Sequence, residues 1–186
     1  GVAKDQARAA ALFIKACDGG HPEGCVNAGH AHANGWGVRK DDVSAGMDYS
    51  MACLLKSDEG CYHAAVLNIE GRSIDDDEAN AAAFFAELCA AEGPFGPASC
   101  SRLGTLHLEG RGVPKDEARA AALLAQACKG GEPAGCFNLG VVLETGKGIA
   151  KSETRAATAF ARGCTLGHAE SCSRAPKDPA PAPKSN

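Results

Sequence analysis

Ten of the 186 residues are cysteine, and these are the side chains here best equipped to do chemistry. They fall two by two along the chain: Cys17 and Cys25, Cys53 and Cys61, Cys89 and Cys100, Cys128 and Cys136, Cys164 and Cys172. Three chemistries use cysteine in such numbers: structural disulfides, reduced thiols packed as small apolar groups, and metal or redox centres. An even count at fixed local spacing favours a disulfide framework. Metal centres usually show C-x-x-C or nearby histidine partners, and no C-x-x-C occurs. A disulfide framework in turn implies an oxidising compartment.

The remaining candidates for chemistry are few. His30 and His32 lie together in A-G-H-A-H-A, but side chains two apart on a helix point to different faces and do not share one ion. The reading therefore names no metal ligand and no cofactor. His21 and His168 occupy matching positions just before a second helix, where a cap or turn role outweighs catalysis. The E-T-G-K-G run at Glu144–Gly148 lacks the order of a phosphate-binding G-x-x-x-x-G-K-[ST] loop. No S-x-x-K or S-D-N element and no H-E-x-x-H is present, so no catalytic residue is named. Asn27, His63, Arg102 and Asn138 share one position, two after the second cysteine of a pair. Their varied polar types suit a solvent-facing or groove-lining face where a partner is recognised. Trp36, the single tryptophan, sits between two glycines and serves either as a binding hot spot or as packing against the adjacent repeat. These five residues form the candidate binding face. The acidic run Asp75–Glu78 reads as a solvated loop and helix start.

Positioning these groups falls to a repeat. First cysteines recur every 36 residues, with one 39-residue step where A-A-E-G-P-F-G-P-A-S, between Cys89 and Cys100, carries three extra residues. Gly35, Gly71, Gly110 and Gly146 keep the same register, as do Val2, Val38, Ile74, Val113 and Ile149. The clearest copy runs from Val113 to Ile149. Each repeat predicts two helices. The first opens after an N-cap at Asp5, Asp41, Asp77, Asp116 or Ser152. It is alanine-rich, with one bulky residue four before the first cysteine: Phe13, Tyr49, Phe85, Leu124 or Phe160. Gly19-Gly20 and Gly130-Gly131 are expected to supply positive φ at its end. Pro22 and Pro133 suit the first turn of the second helix. A helical hairpin of this size buries its apolar face only by stacking on neighbours. Two departures mark the second repeat: Ala65 stands where the others have Gly29, Gly104 and Gly140, and Asp48 replaces the apolar residue found at Leu12, Phe84 and Leu123. The repeats occupy 1-37, 38-73, 74-112, 113-148 and 149-175, forming one solenoid domain over 1-175. The Pro/Ala-rich stretch 176-186 reads as an extended, solvated tail.

Composition excludes some partners. A net charge of −4 with no basic run argues against nucleic acid. No apolar run approaches the roughly 20 residues needed to cross a bilayer. The chain begins at G-V-A-K-D, matching the middle of a repeat loop, so a longer natural protein with any targeting segment upstream is expected.

The pattern A-R-A-A-A-L-L-A-Q-A-C-K-G-G-E-P-A-G-C-F-N-L-G-V-V-L-E-T-G-K-G-I closely resembles the Sel1-like repeat, and its cysteine-bearing form resembles the Helicobacter cysteine-rich protein family. The resemblance covers residues 1 to about 175. It implies an all-α, right-handed α/α solenoid superhelix of stacked Sel1-like (TPR-like) hairpins. Each hairpin is expected to hold its own disulfide: Cys17–Cys25, Cys53–Cys61, Cys89–Cys100, Cys128–Cys136 and Cys164–Cys172. The leading functional expectation is an exported scaffold, monomeric, binding a protein or peptide on its concave face. The compartment is periplasmic, cell-surface or secreted, or the mitochondrial intermembrane space if eukaryotic. Weak β-lactam binding or hydrolysis is the alternative from another class and rests on the resemblance alone. A redox-linked assembly factor is the third reading, and the insertion makes Cys89/Cys100 its pair to watch.

Overall fold

The computed structural model describes residues 5–72, 77–91 and 93–176. All the regular structure in them is helical: α1 Gln6–Asp18, α2 Pro22–Asn34, α3 Asp42–Leu54, α4 Asp58–Ile69, α5 Glu78–Ala90, α6 Gly96–Glu109, α7 Glu117–Lys129, α8 Pro133–Thr145, α9 Glu153–Thr165 and α10 Ala169–Arg174. Contacts divide the chain into two compact bodies, Gly1–Leu88 and Cys89–Asn186. In the first, α1 to α4 pack as successive antiparallel neighbours; in the second, α6 to α10 do the same. The expectations for Val2, for Ile74 and Asp75, and for the tail beyond Pro176 lie outside the described residues.

The helix starts follow the predicted caps. Asp5, Asp77, Asp116 and Ser152 each accept from the backbone N–H three residues on, and Asp41 accepts from Val43 and Ser44. Each such bond satisfies one of the orphan donors of a first turn. Between the helices of a hairpin the chain turns through one left-handed residue: Gly20, Lys56, Gly131 and Gly167 have φ of 79°, 68°, 89° and 91°. The next N–H then bonds back to the last turn, as in His21 N–H to Ala16 O at 3.0 Å and Glu132 N–H to Ala127 O at 3.0 Å. The expectation of two positive-φ glycines is corrected here. Gly19 and Gly130 stay near the helical region at φ −78° and −73°, because only the residue after them must reverse the chain.

Two small-residue contacts set the packing. Within a hairpin, Gly24, Gly60 and Gly135 lie against Ala16, Ala52 and Ala127, so closely that a Cβ on the glycine would fall 2.6, 2.5 and 2.6 Å from the alanine Cβ. The fifth repeat reverses the assignment: Gly163 on α9 faces Ser171 on α10. Between hairpins, the bulky residue of one repeat seats on the small residue of the repeat before it. Tyr49 covers Gly29, Leu124 covers Gly104 and Phe160 covers Gly140; added Cβ atoms would fall 2.5, 2.9 and 2.4 Å from those side chains. In the second repeat the small residue is Ala65, fully buried like Phe85. Backbone bonds reinforce the junctions: the N–H groups of Asp41, Asp116 and Ser152 donate to His32, His107 and Leu143 carbonyls at 2.9, 3.0 and 2.9 Å.

All ten cysteines are bonded in the five expected pairs, with Cα atoms 4.3–4.7 Å apart. The geometry follows from the repeat: one cysteine ends a helix and its partner sits in the first turn of the next. Cys89 and Cys100 are 7% and 1% exposed, so burial protects the pair that the insertion had singled out. Cys172 is the exposed one.

Candidate functional site

The first body carries the chemistry. Where α2, α3 and α4 meet, His30 from α2 points across to α4, and its Nε2 lies 3.3 Å from Glu59 Oε1. Its Nδ1 is hydrogen-bonded to the Tyr49 hydroxyl at 2.8 Å. His63, one turn beyond Glu59 on α4, stacks on the Tyr49 ring at 5.0 Å and meets the His30 ring edge-on at 4.9 Å. Burial, then the neighbouring His30 charge, holds the His63 imidazole below its ordinary value, with Glu59 opposing. Burial and the Glu59 and Asp48 carboxylates push the Tyr49 phenol up to about 12, so it stays a neutral hydroxyl.

His32 points elsewhere, as helix geometry requires of residues two apart. Its Nδ1 is 2.7 Å from Asp48 Oδ2, and both side chains are 19% exposed. The anomalous Asp48 is thus half-buried opposite a histidine of the previous repeat. Burial raises its pKa, with His32 acting against that. Beyond it, Arg72 at the end of α4 grips Asp42 with two bonds of 2.9 and 3.0 Å and Glu70 with one of 2.7 Å. The bidentate bond holds the Asp42 carboxyl down.

Two of the predicted binding residues come together. Asn27 and Trp36 line a cleft of about 280 Å³ with Gln6, Phe13 and His30. Trp36 is 54% exposed, so it is not consumed by packing against a neighbour. His63 adjoins the cleft through His30. Arg102 and Asn138 belong to the second body: Arg102 is exposed, and Asn138 donates to Thr105 Oγ1 at 3.5 Å. Of the two paired histidines, His168 caps α10, its Nδ1 accepting from Ser171 N–H at 3.2 Å. His21 precedes α2 without a side-chain cap bond.

A second feature was missed by reading the sequence. Val43, Met47, Met51 and Leu54 are 41%, 59%, 46% and 74% exposed. Their spacing on α3 places all four along one stripe of the helix. In other repeats, the Met51 position holds Lys15, Glu87, Gln126 or Arg162, and the Leu54 position holds Asp18, Ala90, Lys129 or Thr165. The scaffold therefore does not need apolar residues there. Comparing solvent-facing positions between repeats, rather than apolar positions within one, would have found the stripe.

Stacked two-helix hairpins, each closed by its own disulfide, define a helical-repeat protein of an oxidising compartment. The Sel1 repeat pattern matches residues 1–21, 22–55, 97–132 and 133–168, and the chain belongs to the Sel1 repeat family. Similar folds are found in solved structures. A Sel1 repeat protein from Oxalobacter formigenes is 22% identical with a TM-score of 0.82, covering 92% of this chain and 67% of that one. A protective antigen of uropathogenic Escherichia coli displaying an SLR fold is 22% identical with a TM-score of 0.79, covering 90% of this chain; the present chain spans 35% of that protein. Helicobacter pylori cysteine rich protein B is 24% identical over 93% of this chain and 96% of that one, with a TM-score of 0.39, too low to carry an argument. No curated protein matches the chain. Among the described residues, no helix is long and apolar enough to cross a membrane.

Proposed function

We propose that the protein is an exported binding scaffold, acting in the periplasm, at the cell surface or outside the cell, that holds a protein or peptide partner. The observation that carries this reading is the α3 stripe. Four apolar side chains stand exposed on one helix face, and at the Met51 and Leu54 positions sister repeats carry charged residues such as Lys15, Glu87, Asp18 and Lys129. An apolar stripe of this kind is unfavourable in water and marks a contact surface. Its two methionines can adapt to different partner shapes. The cleft with Asn27, Trp36 and His30 supplies polar and aromatic contacts on the same body. Within the second body, Arg102 and Asn138 occupy the repeat position of Asn27 and are further proposed contacts. Disulfide-clamped hairpins suit this task because they present a fixed surface that loses little freedom on binding.

The test is selection of peptides from a displayed random library on the oxidised protein, followed by binding to a Met51→Lys/Leu54→Asp variant. These are residues that the first repeat carries at the same positions, so the hairpin tolerates them. Selected ligands should be rich in apolar residues and lose at least about tenfold in affinity, roughly 1.4 kcal/mol. Ligands indifferent both to this variant and to Trp36→Ala would sink the reading.

A further inference from the structure

We propose that His30, Glu59 and His63 form a binding site for a divalent transition-metal ion of the zinc class. One ligand atom from each of the three residues lies within 4.8 Å of the other two. The His30 Nε2 to Glu59 Oε1 separation of 3.3 Å is already that between two ligands of a tetrahedral ion with bonds of about 2.0–2.1 Å. Glu59 and His63 are four residues apart on α4 and project from one helix face, a spacing that suits chelation. His30 completes the set from α2 of the preceding repeat, so an ion here would tie two repeats together. The small contraction still needed is a matter of side-chain rotation, since all three groups are only partly buried.

Three further observations favour a site over a chance cluster. The Tyr49 hydroxyl holds His30 Nδ1 at 2.8 Å, which fixes the ring and, with Nδ1 protonated, leaves the Nε2 lone pair facing Glu59 and His63. Secondly, the repeat does not demand the two histidines. The His30 position holds Val66, Thr105 and Val141 elsewhere, and the His63 position holds Asn27, Arg102 and Asn138. Thirdly, the donor set is selective. Two imidazoles and one carboxylate suit zinc, cobalt or nickel, whereas calcium and magnesium take oxygen ligands. Three protein ligands leave a fourth position for water or for a donor group on a bound partner. No thiolate competes, because every cysteine is in a disulfide.

The experiment uses the full oxidised chain after chelator treatment, titrated with Co²⁺ by visible absorption and with Zn²⁺ by calorimetry near neutral pH. One equivalent should bind, with the intense visible bands of four- or five-coordinate cobalt. Glu59→Gln and His63→Asn should each weaken binding about 100-fold or more, and Tyr49→Phe about 10–100-fold through loss of the orienting bond. His32→Asn should leave the affinity unchanged, since that ring faces Asp48. Glu59→Gln keeps the test decisive, because the side chain is 43% exposed and its replacement is nearly isosteric. Absence of heat and of cobalt bands at millimolar metal would overturn the proposal. So would binding that survives Glu59→Gln and His63→Asn unchanged, which would locate the ion elsewhere.

Discussion

Two junctions between repeats, one in each body, use the same seat and finish it in opposite ways. In the first body Tyr49 packs on Gly29; in the second Phe160 packs on Gly140. Around Tyr49 the apolar neighbours Ala45, Ala64 and Leu67 are joined by His30 and His63, with the His32–Asp48 pair beside them. Around Phe160 they are Leu143, Ala156 and Ala159, with Phe137 5.9 Å away and the Arg174 guanidinium lying over the ring at 5.5 Å. The fold therefore constrains only the knob and the small residue beneath it. The ring of positions around them is free, and one junction spends it on apolar packing while the other gathers titratable groups.

Removing a disulfide should have the largest effect and should not distinguish the bodies. Replacing Cys17 and Cys25, or Cys128 and Cys136, by serine should cost about 2–3 kcal/mol in either place, because both close loops of the same length. Denaturant unfolding of the two variants checks this, and unequal losses would show that the junctions, not the loops, set local stability. Next come the seats themselves. Gly29→Ala and Gly140→Ala should each lose about 1–3 kcal/mol through overpacking against an aromatic ring. A neutral result at either would mean that its knob can swing away.

Exchanging the knobs sharpens the contrast. Tyr49→Phe should cost about 1 kcal/mol for the lost His30 bond, with no steric penalty, since Phe13, Phe85 and Phe160 fill that position elsewhere. Phe160→Tyr places a hydroxyl among apolar neighbours and should cost about 1–2 kcal/mol; equal thermal shifts for both variants would remove the distinction between a polar and an apolar junction. Lys56 is the one non-glycine residue with positive φ among the described residues. Lys56→Gly should stabilise the protein by somewhat under about 1 kcal/mol, relieved strain being partly offset by the unfolded-state entropy of glycine.

The smallest effect is the pH response of the polar junction. The folded state holds the His63 pKa below its ordinary 6.5, so between those values the unfolded chain binds more protons. Stability should be full above pH 6.5 and fall as the pH drops through the lowered value. Thermal unfolding followed across that window should show the slope in the parent and a flatter profile in His63→Asn. An unchanged profile would assign the response to another group.

Much of this was legible from local pattern. The five caps, the hairpins and the cysteine pairing follow from spacings of a few residues, where sequence neighbours are also spatial neighbours. The group Asn27, His63, Arg102 and Asn138 was legible only as a shared position. The structure shows Asn27 joined with Trp36 in a cleft and His63 turned instead into the cluster with Tyr49. Glu59 and His63, one turn apart on α4, were a visible pair that drew no notice beside the more conspicuous His30 and His32. Asp48 was legible only as a departure from the apolar pattern; the His32 ring opposite it comes from the preceding repeat.

The sequence alone determined the all-helical hairpin repeat and its covalent clamps, because those rest on contacts within a few residues along the chain. Only the tertiary structure decided that His30 from one repeat meets Glu59 and His63 from the next, and that Val43, Met47, Met51 and Leu54 face water. Both depend on how one hairpin is rotated against its neighbour. That rotation is set by a knob seated on a small residue a repeat away, and repeat spacing leaves it unspecified.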